Sequence, residues 1–387
     1  MSGAREAQPG PLGGFTVLEL AGLGGAPFAG MLLADLGARV IRIDRPPAAE
    51  KREPADVLNR GKESICIDLK AAGAVELVLR LAQHSHGLIE SYRPGVMERL
   101  GLGPAPCLAA SPRLVYGRLS GWGQQGPLAH AAGHDIDFIA LAGALAHIGT
   151  AQSGPLPPLS LVADYAGGGM LLALGMLSGW LETARSGCGQ VVDAAMLDGS
   201  ALLMASVFAR HGSGRWAAGR GANFMDGAAH YYTTYRCADG KWIAVGAIEP
   251  RFYALLMKLC GIAEADIPGQ AGPEGWAGGK DKLQGIFEQK TRAQWCSLLE
   301  GTDACVAPVL EVGEAPEHPH NVARGVFTRV DGIVQPAPAP RFSRTPAAPT
   351  RPPPARGANA RALLGDFGFS AVEIEGAVGR GAVVLAR

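Results

Sequence analysis

The chain has 387 residues, with 35 basic side chains balanced by 35 acidic ones, so its formal net charge is zero. That balance argues against a nucleic-acid binder, and 48% hydrophobic against only 18% charged residues argues against a disordered chain. At one domain per roughly 150 residues, the length predicts two domains and permits a large buried core. Glycine is twice as common as usual, at 55 residues, without a Gly-X-Y period, which points to tight turns and close backbone approaches. The seven cysteines include no C-x-x-C pair and read as reduced thiols. No apolar run approaches the ~18 residues of a membrane span, because Asp164 and Tyr165 interrupt the best candidate. With no signal-peptide core around Arg5 and Glu6 and a Leu-Ala-Arg end, the expectation is a cytoplasmic protein that binds neither nucleic acid nor membrane.

The first half alternates strand and helix signals. Phe15 to Leu20 reads as a strand, followed by Gly22, Gly24 and Gly25, with Pro27 near the start of a helix through Leu36. Val40 to Asp44, Ser64 to Leu69, Leu88 to Glu90, Leu114 to Leu119 and Gln190 to Ala194 are further strand runs, with helical runs at Ala74 to Gln83 and Met170 to Arg185. This alternation predicts an α/β fold with a mainly parallel sheet covered on both faces. After about residue 225, His230 to Cys237 and Lys241 to Ala247 flank the hairpin signal Ala238-Asp239-Gly240. Helices are expected at Pro250 to Leu259, Asp281 to Glu288 and Ala293 to Glu300, giving a smaller α+β domain. Residues 333–356 are dense in proline and read as an extended connector, and Ser370 with Glu373 is spaced as a capping box.

Several motifs invite a chemical reading. Gly22-Leu23-Gly24-Gly25-Ala26-Pro27 with Asp44 about twenty residues on partly matches a dinucleotide-binding turn, but Pro27 replaces the third glycine and Arg45 follows the acid. His318 and His320 lack a matching ligand cluster and read as solvated loop histidines. Arg42, Arg45, Arg60, Arg93 and Arg99 sit near strand ends, where guanidinium groups suit a polyphosphate. His134, Asp135 and Asp137 put three titratable groups within four residues. Asp164 precedes the glycine run Gly167-Gly168-Gly169, near a helix start that favours an ionised carboxylate. Glu249 is an acid in an otherwise apolar turn. From residue chemistry alone, each of these acids is better explained as a cap or a surface group than as a catalytic one.

Longer stretches decide more. Glu19-Leu20, Ala34-Asp35-Leu36-Gly37-Ala38, Arg42-Ile43-Asp44-Arg45-Pro46 and Arg93-Pro94-Gly95-Val96 resemble the family III CoA-transferase (CaiB/BaiF) superfamily. So do Gly133-His134-Asp135-Ile136, Gly189-Gln190-Val191-Val192-Asp193-Ala194 and Ala247-Ile248-Glu249-Pro250, and the resemblance runs from about residue 12 to residue 347. Where the transferases usually carry Gly-Tyr-Asp this chain has Gly133-His134-Asp135, which resembles the α-methylacyl-CoA racemase branch.

The resemblance implies a Rossmann-like large domain with a parallel sheet, a smaller α+β domain and an interlocked homodimer. The implied boundaries are 1–205 for the large CoA-binding domain, 206–229 for a linker, 230–318 for the small domain and 319–387 for the return into the large domain. It implies an isomerase of lipid metabolism that interconverts (2R)- and (2S)-2-methylacyl-CoA thioesters through an enolate, with no cofactor or metal, CoA being part of the substrate. His134 and Asp164 would be the two acid/bases and Glu249 the acid that orients His134. Arg45, Ile67, Asp68, Leu69, Lys70, Arg93 and Arg99 would hold CoA, and Gly133, Asp135, Ile136, Asp137 and Phe138 would border the thioester. Two departures stand out: Phe138 where relatives often have tyrosine, and Ala228-Ala229-His230 in place of Gly-Ala-Pro, expected near the acyl tail. The alternative is a CoA-transferase with Asp164 as the acyl-accepting nucleophile, against which His134 and Glu249 count.

Overall fold

The computed structural model describes residues 9–49, 51–263, 266–270, 272–347 and 350–386, so Arg5, Glu6, Arg387 and Ala348-Pro349 of the proline-rich stretch lie outside the described residues. The chain divides into two units, one of Met1–Ala142, Leu159–Leu203 and Gly325–Arg387, the other of Gly143–Pro158 and Met204–Arg324. In the first unit the chain forms β1 (Thr16–Leu20), α1 (Gly25–Asp35), β2 (Arg39–Asp44), β3 (Glu63–Ile67), α2 (Ala74–Gln83) and β4 (Gly87–Glu90). It continues with α3 (Val96–Arg99), α4 (Pro104–Ala110), β5 (Val115–Ser120), α5 (Asp135–Leu141), α6 (Leu161–Ser186), β6 (Gln190–Ala195) and α7 (Met196–Leu203).

These strands make a seven-stranded sheet in the order β12-β3-β2-β1-β4-β5-β6. All neighbours are parallel except the C-terminal β12 (Val383–Val384), which pairs antiparallel with β3. The strands are apolar on both sides because both faces are covered. Leu18, Ile41, Ile43, Ile65 and Leu88 pack with α2 and α4 on one face, and Val17, Val40, Ile89 and Val115 pack with α1 and α6 on the other.

The second unit contains α8 (Ala205–Gly212), β7 (Tyr232–Arg236), β8 (Trp242–Gly246), α9 (Pro250–Cys260), α10 (Trp276–Phe287), α11 (Arg292–Leu299), β9 (Val306–Pro308) and α12 (Pro319–Arg324). Its three strands form an antiparallel sheet, β7-β8-β9, with Tyr235, Ile243, Leu256, Leu283, Phe287 and Trp295 in its own core. The hairpin turns where Gly240 takes φ +76° and Cys237 N–H donates to the Lys241 carbonyl at 2.8 Å. The chain returns to the first unit with β10 (Phe327–Val330), β11 (Ile333–Pro336), α13 (Ala360–Asp366) and α14 (Ala371–Gly379). Asn359 Oδ1 accepts from Ser64 N–H and Ser64 Oγ accepts from Gly357 N–H, tying this return onto β3.

Three local readings change. Residues 206–229, read as a linker, carry most of α8, and the proline-rich stretch opens on β11. The helix expected from Met170 begins at Leu161, its first ten residues wound as a π-helix, and Leu161–Ser186 reaches the length and mean hydropathy of a membrane span (26 residues, 1.4). Its Leu172, Met176 and Trp180 are packed in the sheet core; Asp164 is accommodated within the first turn instead of breaking the helix.

Candidate active site

The strand order reverses between β1 and β4, whose chain neighbours lie on opposite sides, and such a switch point opens a crevice at the C-terminal ends of the strands. A cavity of about 390 Å³ lies there, lined by the loop after β1 (Gly22 to Gly24), the loop after β4 (Ser91 to Pro94), Trp122, His134 and Asp164. The glycines after β1 are steric requirements of this crevice. A Cβ on Gly22 would fall 2.2 Å from Ser91 Oγ, and one on Gly24 would fall 3.1 Å from Asp164 Oδ2, at a residue with φ +66°.

His134 is the N-cap of α5, where the Asp137 carboxylate accepts its backbone N–H at 2.9 Å, so the imidazole stands exposed at the head of the helix. Asp164 lies in the first turn of α6. The Asp135 carboxylate accepts from the backbone N–H groups of Ala163 and Asp164 at 2.7 and 2.8 Å. The surroundings work against the ionised form that a helix start favours: burial, reinforced by the Asp135 charge and opposed by His134, raises the Asp164 carboxyl from its ordinary value. The glycine run after Asp164 serves packing. Added Cβ atoms would meet Ser200 N at Gly167, Met196 Cγ at Gly168 and Gly25 O at Gly169, all within 3.0 Å, so α6 touches α1 and α7 backbone to backbone.

A second cavity of about 670 Å³ gathers Arg45, Ile67, Asp68, Leu69, Lys70 and Arg99 at the ends of β2 and β3 and on α3. Arg45 lies over the Tyr92 ring, 4.9 Å from its centroid, and Tyr92 lines both cavities. The structure therefore gathers six of the seven expected CoA contacts in one place and puts Arg93 in the His134 cavity instead.

Other expected residues have different employment. Arg42 pairs with Asp44 at 2.6 Å and Asp56 at 3.2 Å, and Arg60 is buried against Asp35 at 2.6 Å, so neither stands ready for a phosphate. Of the thioester group, Gly133 and Phe138 line the cavity, whereas Asp135, Ile136 and Asp137 do not. Phe138 is buried edge-to-face on Trp122, with centroids 4.7 Å apart. Glu249 belongs to the second unit, where it stands exposed at the N-cap position of α9 with no side-chain hydrogen bond to the helix. His230 is fully buried in that unit's core with Nε2 2.9 Å from Tyr253 Oη. His318 is not a solvated loop residue, since its Nε2 lies 2.7 Å from Glu300 Oε1. Sequence reasoning missed Tyr92 and Trp122, which no spacing marks; their neighbours in the Ser91-Tyr92-Arg93-Pro94 and Gly121-Trp122-Gly123 turns were the available signal.

The pattern of CoA-transferase family III matches residues 12–360. This chain belongs to that family. It is 45% identical to the alpha-methylacyl-CoA racemase of Homo sapiens over 94% of this chain and 95% of that one. The same protein of Mus musculus is 44% identical over the same shares. Among solved structures, a CAIB/BAIF family protein from Brucella suis superposes with a TM-score of 0.79 at 25% identity, covering 93% of this chain and 100% of that one. The family fold is thus the mixed α/β architecture with a parallel-dominated sheet described above.

Proposed function

We propose that this protein is an isomerase that interconverts the two C2 epimers of 2-methylacyl-CoA thioesters, with His134 and Asp164 as the paired acid/bases. The observation that carries the reading is that an exposed imidazole and a half-buried carboxyl held above its usual range line one cavity at the sheet's switch point. One direction starts from a neutral imidazole and a protonated Asp164. His134 takes the α-proton, the thioester becomes an enolate, and Asp164 delivers its proton to the opposite face of C2. The reverse direction starts from imidazolium and carboxylate. A carboxyl whose pKa burial and the Asp135 charge raise gives up its proton less readily than an ordinary aspartate, which suits the donor role. CoA is assigned to the Arg45 cavity, where a guanidinium and the Lys70 ammonium meet the phosphates. Glu249 is assigned, on the family resemblance, to orienting His134.

An interlocked homodimer is the proposed assembly. It is supported by the exposed apolar side chains Leu141, Leu161, Leu174, Leu181 and Leu202 on α5, α6 and α7.

The test is a single enantiomer of a 2-methylacyl-CoA in heavy water. Racemisation accompanied by deuterium at C2 is expected. His134→Ala and Asp164→Ala should each abolish inversion, with residual exchange restricted to opposite enantiomers. Unchanged racemisation in either variant removes that residue from the mechanism. Sustained CoA exchange onto an added free acid would replace the isomerase with a transferase.

A further inference from the structure

We propose that the buried Asp135 carboxylate is a positioning residue that ties α5 to the start of α6 and, by like charge, biases Asp164 towards its protonated form. This rests on Asp164 being an acid/base. Asp135 follows His134 directly, is 5% exposed, and accepts through Oδ2 from the N–H groups of Ala163 and Asp164 at 2.7 and 2.8 Å. One side chain thus fixes the Asp164 backbone relative to the helix that carries His134.

The choice of a carboxylate needs its own account. A cap for two N–H groups needs one acceptor oxygen, and an Asn carbonyl would supply it. Asp135 instead buries a second oxygen, Oδ1, with no hydrogen-bond partner, and sets its charge beside another acid. Both features cost free energy in the folded state. What the charge supplies is repulsion of the Asp164 carboxylate, which favours the form that donates a proton.

The surrounding titratable groups do not compete for this role. The elements packed against the start of α6 carry His134 and Asp137 on α5, Asp198 on α7, Asp193 on β6, Arg118 on β5 and Asp35 on α1. Asp35 is committed to Arg60, Arg118 to Glu90 and Glu98, and Asp137 to the His134 N–H. Besides burial, the Asp135 charge raises and His134 lowers the Asp164 carboxyl, with Asp135 the larger influence.

Asp135→Asn keeps an acceptor oxygen and removes the charge; Asp135→Ala removes both. The first measurement is a ¹³C NMR titration of the Asp164 side-chain carboxyl in the free, full-length enzyme, assigned with Asp164→Asn. In Asp135→Asn the Asp164 transition should move down by about one pH unit, the size expected for loss of a close like charge. In the direction where Asp164 donates, kcat/KM should then decline with rising pH from about one unit lower. Asp135→Ala should lose at least about tenfold in racemisation in both directions, with Asp135→Asn recovering most of it at low pH. An Asp164 titration unmoved in Asp135→Asn overturns the proposal, as does an Asp135→Ala enzyme that racemises like wild type. If Asp135→Ala does not fold, Asp135→Asn alone decides. The NMR titration involves no turnover, so it stands apart from the catalytic reading, which fails instead if Asp164→Asn racemises normally.

Discussion

Lys62→Met removes the ammonium from a fully buried ion pair with Glu19 of β1. Lys62 Nζ donates to both oxygens of Glu19 at 2.8 and 2.7 Å, to Asn59 Oδ1 at 2.9 Å and to the Pro27 carbonyl at 3.0 Å, and both charged side chains are 0% exposed. Burial alone pushes Glu19 up and Lys62 down, and their mutual attraction opposes both shifts. Without Lys62, the lower-cost state for Glu19 is the neutral acid. Neutralising an ordinary glutamate at pH 7 costs about 4 kcal/mol, from a reference pKa of about 4.3 and ~1.36 kcal/mol per unit. That agrees with the loss of about 3–5 kcal/mol when a buried pair is broken from one side. The sign follows by linkage. In the variant, the folded-state pKa of Glu19 lies above its unfolded value, so the unfolded state gives up the proton first as pH rises. The cost is therefore greatest at pH 7 and shrinks to about 1 kcal/mol at pH 5. Urea unfolding at the two pH values measures it. Glu19→Gln combined with Lys62→Met should recover most of the stability at pH 7 and abolish the extra pH dependence, because no charge is left to bury. A single variant that loses less than about 1 kcal/mol at pH 7, or as much at pH 5 as at pH 7, would refute the reasoning.

Arg45→Ala should raise KM for the acyl-CoA at least about tenfold while leaving kcat within about twofold, since a contact remote from C2 contributes uniform binding; steady-state kinetics separate the two. Gly24→Ala places a methyl 3.1 Å from Asp164 Oδ2 at a position with φ +66°, and the strain should appear as a loss of about 1–3 kcal/mol in urea unfolding, with kcat lowered because the Asp164 carboxyl must shift. His230 is fully buried and its pKa is lowered, by burial first and by Lys280 second. Its neutral state supports stability fully above the unfolded value of about 6.5, and that support is lost as pH falls towards the folded value, so His230→Leu should flatten the decline in the melting temperature between pH 6.5 and 5.

Where hydrophobic pattern and turn chemistry act locally, the sequence alone is decisive. The six strands of the parallel sheet, α2 and the β7–β8 hairpin fall within a residue or two of their expected limits, because each is a run of apolar residues bounded by glycine, proline or a charged cap. The Ser370–Glu373 capping box closes as read, with Glu373 N–H donating to Ser370 Oγ at 3.3 Å. His134 and Asp164 were legible as candidates because motif resemblance singled them out. That they line one cavity was not, since 30 positions separate them in the sequence and it is the packing of α5 on the start of α6, tied by Asp135 to the Ala163 and Asp164 N–H groups, that brings them together.

What the tertiary structure decided is the state and employment of charged groups. Arg42 and Arg60 look in sequence like Arg45 and Arg99, yet the first pair is consumed by Asp44, Asp56 and Asp35 while the second faces a cavity. Asp164 reads as a helix-start acid in sequence, and only folding places the burial and the Asp135 charge that raise its pKa. The glycines after it mark only a helix start in sequence, and folding shows why they are needed: the backbones of α1 and α7 close on them. Local propensity is written in neighbouring residues, whereas a charge answers to the field and solvent around it, and those are set by residues that only folding brings near.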